Sequence, residues 1–272
     1  MSCWKSAMSI ELQQRAECPE KFYKYRSMDD RSAIWVERTI CNQEIYFAPA
    51  TTFNDPFDLR PLFSLDAPKK VQRSDYERLS KKFEPHLSRK ERRAEVGRVM
   101  SGPMRKENVG KVVDEIQQIF TNIITTTVGV LCVSTKRDDI LMWSHYGDSH
   151  RGVCLEFDGS FAFMAHAQEV RYAKERRPIN AYEDDYDTMI RKALLTKSDH
   201  WCYEAEWRLI RSEKGPGVVE FRPPNLTGVI IGAHASPGSV EKIEKWVSQS
   251  TSPIKIYRAS ANRRTFNLDI KP

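Results

Sequence analysis

No apolar run in this 272-residue chain approaches the ~20 residues that a membrane-spanning helix requires, so no membrane association is expected. The N-terminal Met1-Ser2-Cys3-Trp4-Lys5 lacks the apolar stretch of a secretion signal. The six cysteines, Cys3, Cys18, Cys41, Cys132, Cys154 and Cys202, are scattered and form no C-x-x-C pair. Cys132 and Cys154 sit inside apolar strand-like runs, where cysteine behaves as a small hydrophobe, so neither a disulfide framework nor a zinc site is expected. These absences describe a reduced, cytoplasmic protein. A glycine-rich phosphate loop is missing too, since Gly215-Pro216-Gly217 has no strand-to-helix context. His145 and His150 lack the i, i+4 spacing of a helical metal pair.

The chain is long enough for a sizeable core and fits one domain over 1–272. Its net charge of +6 is uneven: residues 69–111 hold 14 Lys/Arg against 6 Asp/Glu, leaving −2 for the rest. The pattern from Ser74 to Arg98 is polar and helical, broken or kinked at Pro85. A solvated helical face is the ordinary explanation, and a phosphate-rich partner such as nucleic acid the sharper one. Few aromatics lie there to stack bases, which weakens a single-stranded partner.

Periodicity predicts strands at Phe22–Arg26, Glu44–Ala48, Val128–Val133, Gly152–Phe157, Glu169–Tyr172, Glu206–Ile210, Val218–Phe221, Val229–Gly232 and Ile254–Tyr257. Helices are predicted from Asp29-Asp30 through Ile40, over Val112–Thr125, Ile140–Tyr146, Asp184–Ser198 and Pro237–Ser248. The first ~20 residues read as peripheral. Strands grouped in runs predict an α+β fold, a mixed or antiparallel sheet with peripheral helices and a basic helical insertion at about 62–126.

Three stretches concentrate chemistry. In Trp201–Ile210, Glu204 and Glu206 fall two residues apart at the mouth of a strand, sharing a face with Arg208 while Trp207 and Leu209 face away. Paired acids there are costly unless water, a cation or a ligand relieves them; a salt bridge to Arg208 is the plainer account. In Asp139–Val153, Ser144, His145 and Asp148 resemble a hydrolase triad only by proximity, because sequence neighbours rarely converge in that geometry. His145 is read as a capping or packing residue, with an orienting role in a pocket as the alternative. In Phe53-Asn54-Asp55-Pro56-Phe57-Asp58, Asp55 and Asp58 offer oxygens for a divalent ion or a ribose, against the plainer reading of a rigid turn.

The motifs FYKYRS, EIYFAPATTFNDPFD, LCVST, ILMWSHYGDSHRGVCLEFD, VRYA and WCYEAEWRLI, spread over residues 22–232, together resemble domain of unknown function family 2971. This is a group of bacterial and phage-associated proteins whose name carries no biochemistry. At one further remove, the chain resembles the ADP-ribosyltransferase superfamily, whose members often carry an arginine or histidine, a strand ending in Ser-Thr and a Glu-x-Glu or single Glu in that order. Arg26, Ser134-Thr135 and Glu204-Ala205-Glu206 follow it. The resemblance implies that Arg26 holds the pyrophosphate or nicotinamide ribose of NAD and that Ser134 braces the site. Glu206 would bind the ribose 2′-hydroxyl and stabilise the oxocarbenium ion, and Glu204 would assist the acceptor. Tyr46 or Trp143 would stack on the nicotinamide.

The leading expectation is thus an NAD-consuming ADP-ribosyltransferase-like enzyme. Its acceptor is a nucleic acid or protein met through segment 69–111, and an antitoxin or other regulator would restrain it. Two alternatives stand beside it. One is a metal-dependent nuclease or phosphoesterase with Asp55, Asp58, Glu204 and Glu206 as magnesium ligands, although no lysine is evident beside the Glu pair. The other is a non-enzymatic ligand-sensing or interaction module, its acids paired with Arg26 and Arg208.

Overall fold

The computed structural model describes residues 18–272 apart from Ser101, Ala181 and Glu213. Most of the stretch read as peripheral, with Cys3, therefore lies outside the described residues. The fold is mixed α+β. Its strands are β1 (Lys21–Arg26), β2 (Glu44–Pro49), β3 (Phe63–Ser64), β4 (Gly129–Ser134), β5 (Val153–Asp158), β6 (Gln168–Glu169), β7 (Arg171–Ala173), β8 (Ile179–Asn180), β9 (Thr196–Ser198), β10 (Glu206–Arg211), β11 (Gly217–Glu220), β12 (Leu226–Ile231), β13 (Lys255–Ala261) and β14 (Leu268–Lys271). The helices are α1 (Ala33–Cys41), α2 (Lys69–Phe83), α3 (Arg89–Val99), α4 (Gly102–Thr127), α5 (Ile140–Tyr146), α6 (Tyr186–Leu194) and α7 (Pro237–Gln249).

The main sheet runs β11-β2-β4-β1-β5-β12-β13-β14, with β10 added on β4 and β6 on β10. It is mostly antiparallel; β12 and β13 run parallel and are joined by the crossover helix α7, as a parallel pair requires. One face is covered by α1 and α7 through Val36, Ile40, Ile243 and Trp246, which pack on Phe22, Leu131, Leu155 and Trp207. The other face carries Tyr23, Tyr25, Met142 and Trp143. Fully burying aromatic and aliphatic side chains of this size stabilises by about 1.5–3 kcal/mol each, so both faces are needed to hold the sheet.

Helix starts follow local chemistry. The side chains of Asp139 and Asp185 accept backbone N–H groups at the starts of α5 and α6, Ser88 and Glu91 form a capping box on α3, and Ser236 caps α7 ahead of Pro237. The basic segment forms α2, α3 and the start of α4, inserted between β3 and β4.

Two expectations need correction. The helix predicted over Asp184–Ser198 ends at Leu194, and residues 196–198 form β9. Thr196 is β-branched, its hydroxyl bonds back to the Arg191 carbonyl, and β7 offers an edge, so tertiary pairing overrides helix continuation. The strand predicted over Glu169–Tyr172 is divided: Gln168-Glu169 pairs with β10, and Arg171–Ala173 pairs with β9.

What positions the site is a fork in the sheet. One edge of β4 pairs with β10 from Gly129 to Ser134. Its other edge meets β1 at Ser134 and β2 at Val130 and Gly129. Among the described residues no strand pairs with Leu131, Cys132 or Val133 on that edge, and the gap opens between β1 and β2.

Candidate active site at the sheet fork

A cavity of about 240 Å³ fills this fork. Lys24, Tyr25 and Arg26 of β1, Ala48 of β2, and Cys132 and Val133 of β4 form its strand walls. Thr52, Phe53 and Asn54 close one side; Tyr23, Met142, Tyr146, Lys197, Glu204 and Glu206 complete it. The structure therefore brings Arg26, Glu204 and Glu206 to one place.

The carboxylates do not meet by strand alternation. Glu204 ends a 3-10 turn over Asp199–Glu204, Ala205 adopts a left-handed conformation (φ 42°, ψ 53°), and Glu206 then opens β10. Ser134 holds this corner: its hydroxyl donates to the Glu204 carbonyl at 2.6 Å and accepts the Lys136 N–H at 3.0 Å. Ser134 thus braces the carboxylates and is not among the cavity-lining residues.

Lys197 is the residue that sequence reading missed. Its ammonium bonds to Glu204 Oε2 and, at 3.0 Å, to Glu206 Oε2; it lies 3.8 Å from Asp58 Oδ2 and over the Trp201 ring. Nothing local marks it, because the helix expected over Asp184–Ser198 ends at Leu194 and Lys197 lies in the short strand that follows. Pairing of β9 with β7 sets Lys197 opposite Tyr172, whose hydroxyl accepts the Glu206 N–H at 2.8 Å.

Arg208 is fully buried. Its guanidinium makes five hydrogen bonds: two to Glu206 at 2.8 and 3.0 Å, two to Asp58 at 2.9 and 2.6 Å, and one to the Leu194 carbonyl at 2.8 Å. It is a clamp and not a ligand contact, and Asp58 is its second jaw. Asp55 does not join them; it lines a separate cavity.

The two glutamates are pushed apart electrostatically. Burial raises the Glu204 carboxyl; Lys197 opposes this and the Glu206 charge adds to it, and the net direction is upward. Burial acts the same way on Glu206, but Arg208 and then Lys197 outweigh it and hold that carboxyl well below the usual range. Tyr146 donates to Glu204 Oε1 at 2.6 Å. Burial drives the Cys132 thiol upward, so it stays protonated.

On the opposite wall stand Lys24 and Arg26. Burial lowers Lys24 to about 8, with the neighbouring Arg26 adding to the effect, and burial also lowers Arg26. Both keep some accessible surface, consistent with their place on the cavity wall. Among the described residues neither side chain has a hydrogen bond or an ion pair, so the expected pairing of Arg26 with the acids does not occur. Lys24 had a signal in the sequence: it lies two residues before Arg26, on the same strand face.

Other expectations fail on packing. Trp143 is wholly buried in the core, its indole N–H donating to the Arg137 carbonyl, and Tyr46 packs on Trp35 with ring centroids 5.0 Å apart. Neither lines the cavity, whose aromatic surfaces are Tyr23, Tyr25, Phe53 and Tyr146. His145 is exposed and bonds to Tyr203 Oη at 2.8 Å, outside the cavity. The magnesium-ligand set is not assembled either. Lys197 and Arg208 occupy the space among Asp58, Glu204 and Glu206, and no group of three or more His, Cys, Asp or Glu among the described residues could hold a metal ion. No helix among the described residues is long and apolar enough to cross a membrane.

No curated protein and no solved structure matches the chain. Residues 142–209, a shorter stretch than the motifs span, carry Tyr146, Lys197, Glu204, Glu206 and Arg208, and over this stretch the chain matches the family described as Protein of unknown function (DUF2971).

Proposed function

We propose that the chain is an ADP-ribosyltransferase-like enzyme that cleaves NAD in the fork cavity and passes ADP-ribose to a macromolecular acceptor. The observation that carries this reading is the unpartnered pair Lys24 and Arg26 in the same cavity as two buried carboxylates. Unpaired cations held out of bulk water are costly and mark a site for an anion, here the pyrophosphate. The cavity, at about 240 Å³, suits the nicotinamide–ribose half, with the remainder of the dinucleotide leaving past the two cations.

Breaking the N-glycosidic bond sends its electron pair to nicotinamide and leaves positive charge on the ribose. Glu206, kept ionised by Arg208 and Lys197, stabilises that charge. Glu204, with its raised carboxyl, takes the proton of the attacking acceptor group. Neighbouring carboxyls driven in opposite directions are a common way of dividing such roles. The exposed cations of α2 and α3 offer a nucleic-acid acceptor its docking face.

Nicotinamide release from NAD tests this reading. Release by the wild type, reduced about 10²–10⁴-fold in Glu204→Gln and at least as far in Glu206→Gln, is the expected outcome. A folded wild type that neither releases nicotinamide nor shifts its melting temperature with NAD would sink it. One observation favours a second reading, a ligand-sensing module: both Glu206 oxygens already accept bonds from Arg208 or Lys197. An NAD-induced thermal shift without nicotinamide release would select that module.

A further inference from the structure

Lys24 has a capacity that its positive charge alone does not use. It sits in the middle of β1, half-buried, in the wall of the fork cavity of about 240 Å³. Arg26 follows two residues on, on the same strand face and in the same wall. Among the described residues neither side chain has a hydrogen bond or an ion pair. The acids of the cavity are already engaged: Lys197 and Tyr146 bond to Glu204, and Arg208 and Lys197 bond to Glu206. No carboxylate is therefore bonded to the Lys24 amine to hold its proton.

An ammonium in such a place gives up its proton readily, because burial and a neighbouring cation both disfavour the charge. Burial lowers Lys24 most and Arg26 adds to this, while Cys132, Glu206 and Glu204 oppose it, which leaves the amine at about 8. Tyr23, Tyr25, Tyr146 and Lys197 are the other titratable groups in the wall. About a tenth of Lys24 is then neutral at pH 7, against roughly one part in 3,000 for an ordinary lysine. A neutral amine has a free electron pair for attack on a carbonyl carbon, which an ammonium lacks. The guanidinium of Arg26 matches a phosphate or carboxylate, and an anion resting there would bring its own carbonyl group to the amine.

We propose that Lys24 is a covalent binding site for a small aldehyde or ketone that carries a phosphate or carboxylate, the anionic group resting on Arg26. The Lys24 nitrogen bonds to the carbonyl carbon, the carbonyl oxygen leaves as water with the two amine protons, and an imine remains. The step is reversible and takes no oxidant or reductant. The cavity admits a compound of a few carbons. The assignment does not rest on NAD cleavage, and the protonated fraction of Lys24 is the one that would hold a pyrophosphate.

Trapping tests it. The full chain is incubated with cyanoborohydride and glyceraldehyde 3-phosphate, uncharged glyceraldehyde or glyoxylate, and peptide mass analysis locates the secondary amines formed. Lys24 is expected to take up glyceraldehyde 3-phosphate at least tenfold faster than exposed lysines do, and at least tenfold faster than it takes up glyceraldehyde. Labelling by glyoxylate as well would show that a carboxylate also serves, and its absence would restrict the site to phosphates. The rate at Lys24 should level off near pH 8, whereas exposed lysines continue to gain up to about pH 10. Arg26→Met is expected to remove the preference for the phosphorylated aldehyde, a ratio that does not depend on the titration of the amine. Label confined to exposed lysines overturns the proposal, as do equal rates at Lys24 for glyceraldehyde and its phosphate, or a preference unchanged in Arg26→Met. Nicotinamide release, measured separately, lets each reading fail alone: a chain that labels at Lys24 and releases no nicotinamide supports the imine site and sinks only NAD cleavage.

Discussion

Removing the Arg208 side chain would strand Asp58 and Glu206 as neighbouring buried carboxylates, with only Lys197 left between them. Arg208→Leu is therefore expected to cost about 3–5 kcal/mol, read as a lower midpoint of urea unfolding with an unchanged slope. Glu204→Gln is expected to cost far less, since it leaves Asp58 and Glu206 balanced against Lys197 and Arg208. The pH dependence follows the signs. Glu206 titrates lower in the folded than in the unfolded chain, so its contribution is present above the ordinary carboxylate range and is lost as pH falls through its folded value. Glu204, raised in the fold, works against stability once pH exceeds the ordinary range. Acid unfolding of Glu206→Gln should accordingly begin from a lower plateau and show a shallower loss below pH ~4 than the wild type.

At the scale of elements, the corner at Ala205 sets the site. A non-glycine residue at φ 42° is strained by its Cβ, and the strain is held by Ser134 and by the Thr135 N–H bond to the Ala205 carbonyl at 3.3 Å. Ala205→Gly is expected to raise stability by up to about 1 kcal/mol, or leave it unchanged, in chemical denaturation, because glycine enters this region without steric cost. Ala205→Val should lower it. The corner also marks where the sequence could be read and where it could not. Strands β1, β4, β5 and β10 follow from alternation and apolar runs, and Trp207 and Leu209 do face the core opposite Glu206 and Arg208. Yet Glu204 precedes the strand, and Lys197 belongs to a three-residue strand that exists only because β7 lies beside it. Pairings of that length carry no periodic signal.

For the molecule as a whole, the fork holds two cations, Lys24 and Arg26, that make no hydrogen bond or ion pair among the described residues, although the charges of Glu206 and Glu204 partly offset the burial of Lys24. Lys24 falls from 10.5 to about 8 on folding, so the folded chain binds protons more weakly than the unfolded one between those values. Stability should rise with pH through that window and be lower beneath it. Lys24→Met is expected to raise stability at pH 7 by about 1–3 kcal/mol in urea unfolding while removing affinity for an anionic ligand. In the wild type that affinity should be greatest below about pH 8 and decline as Lys24 loses its proton, which a titration of NAD at pH 6–9 measures.

The sequence by itself determined the α+β class, the principal strands, the basic helical segment and the carboxylates worth watching, because period, apolar runs and turn residues act over a few neighbouring positions. Only the tertiary structure decided that Trp143 and Tyr46 serve packing, that Arg208 clamps Asp58 and Glu206, and that Lys197 bridges the glutamates. It also set Lys24 and Arg26 unpaired across the fork. Those outcomes depend on which distant segments pair at β4 and β7, and on charges brought within about 4 Å across 150 residues of chain between Asp58 and Arg208. Local pattern does not encode a contact of that kind.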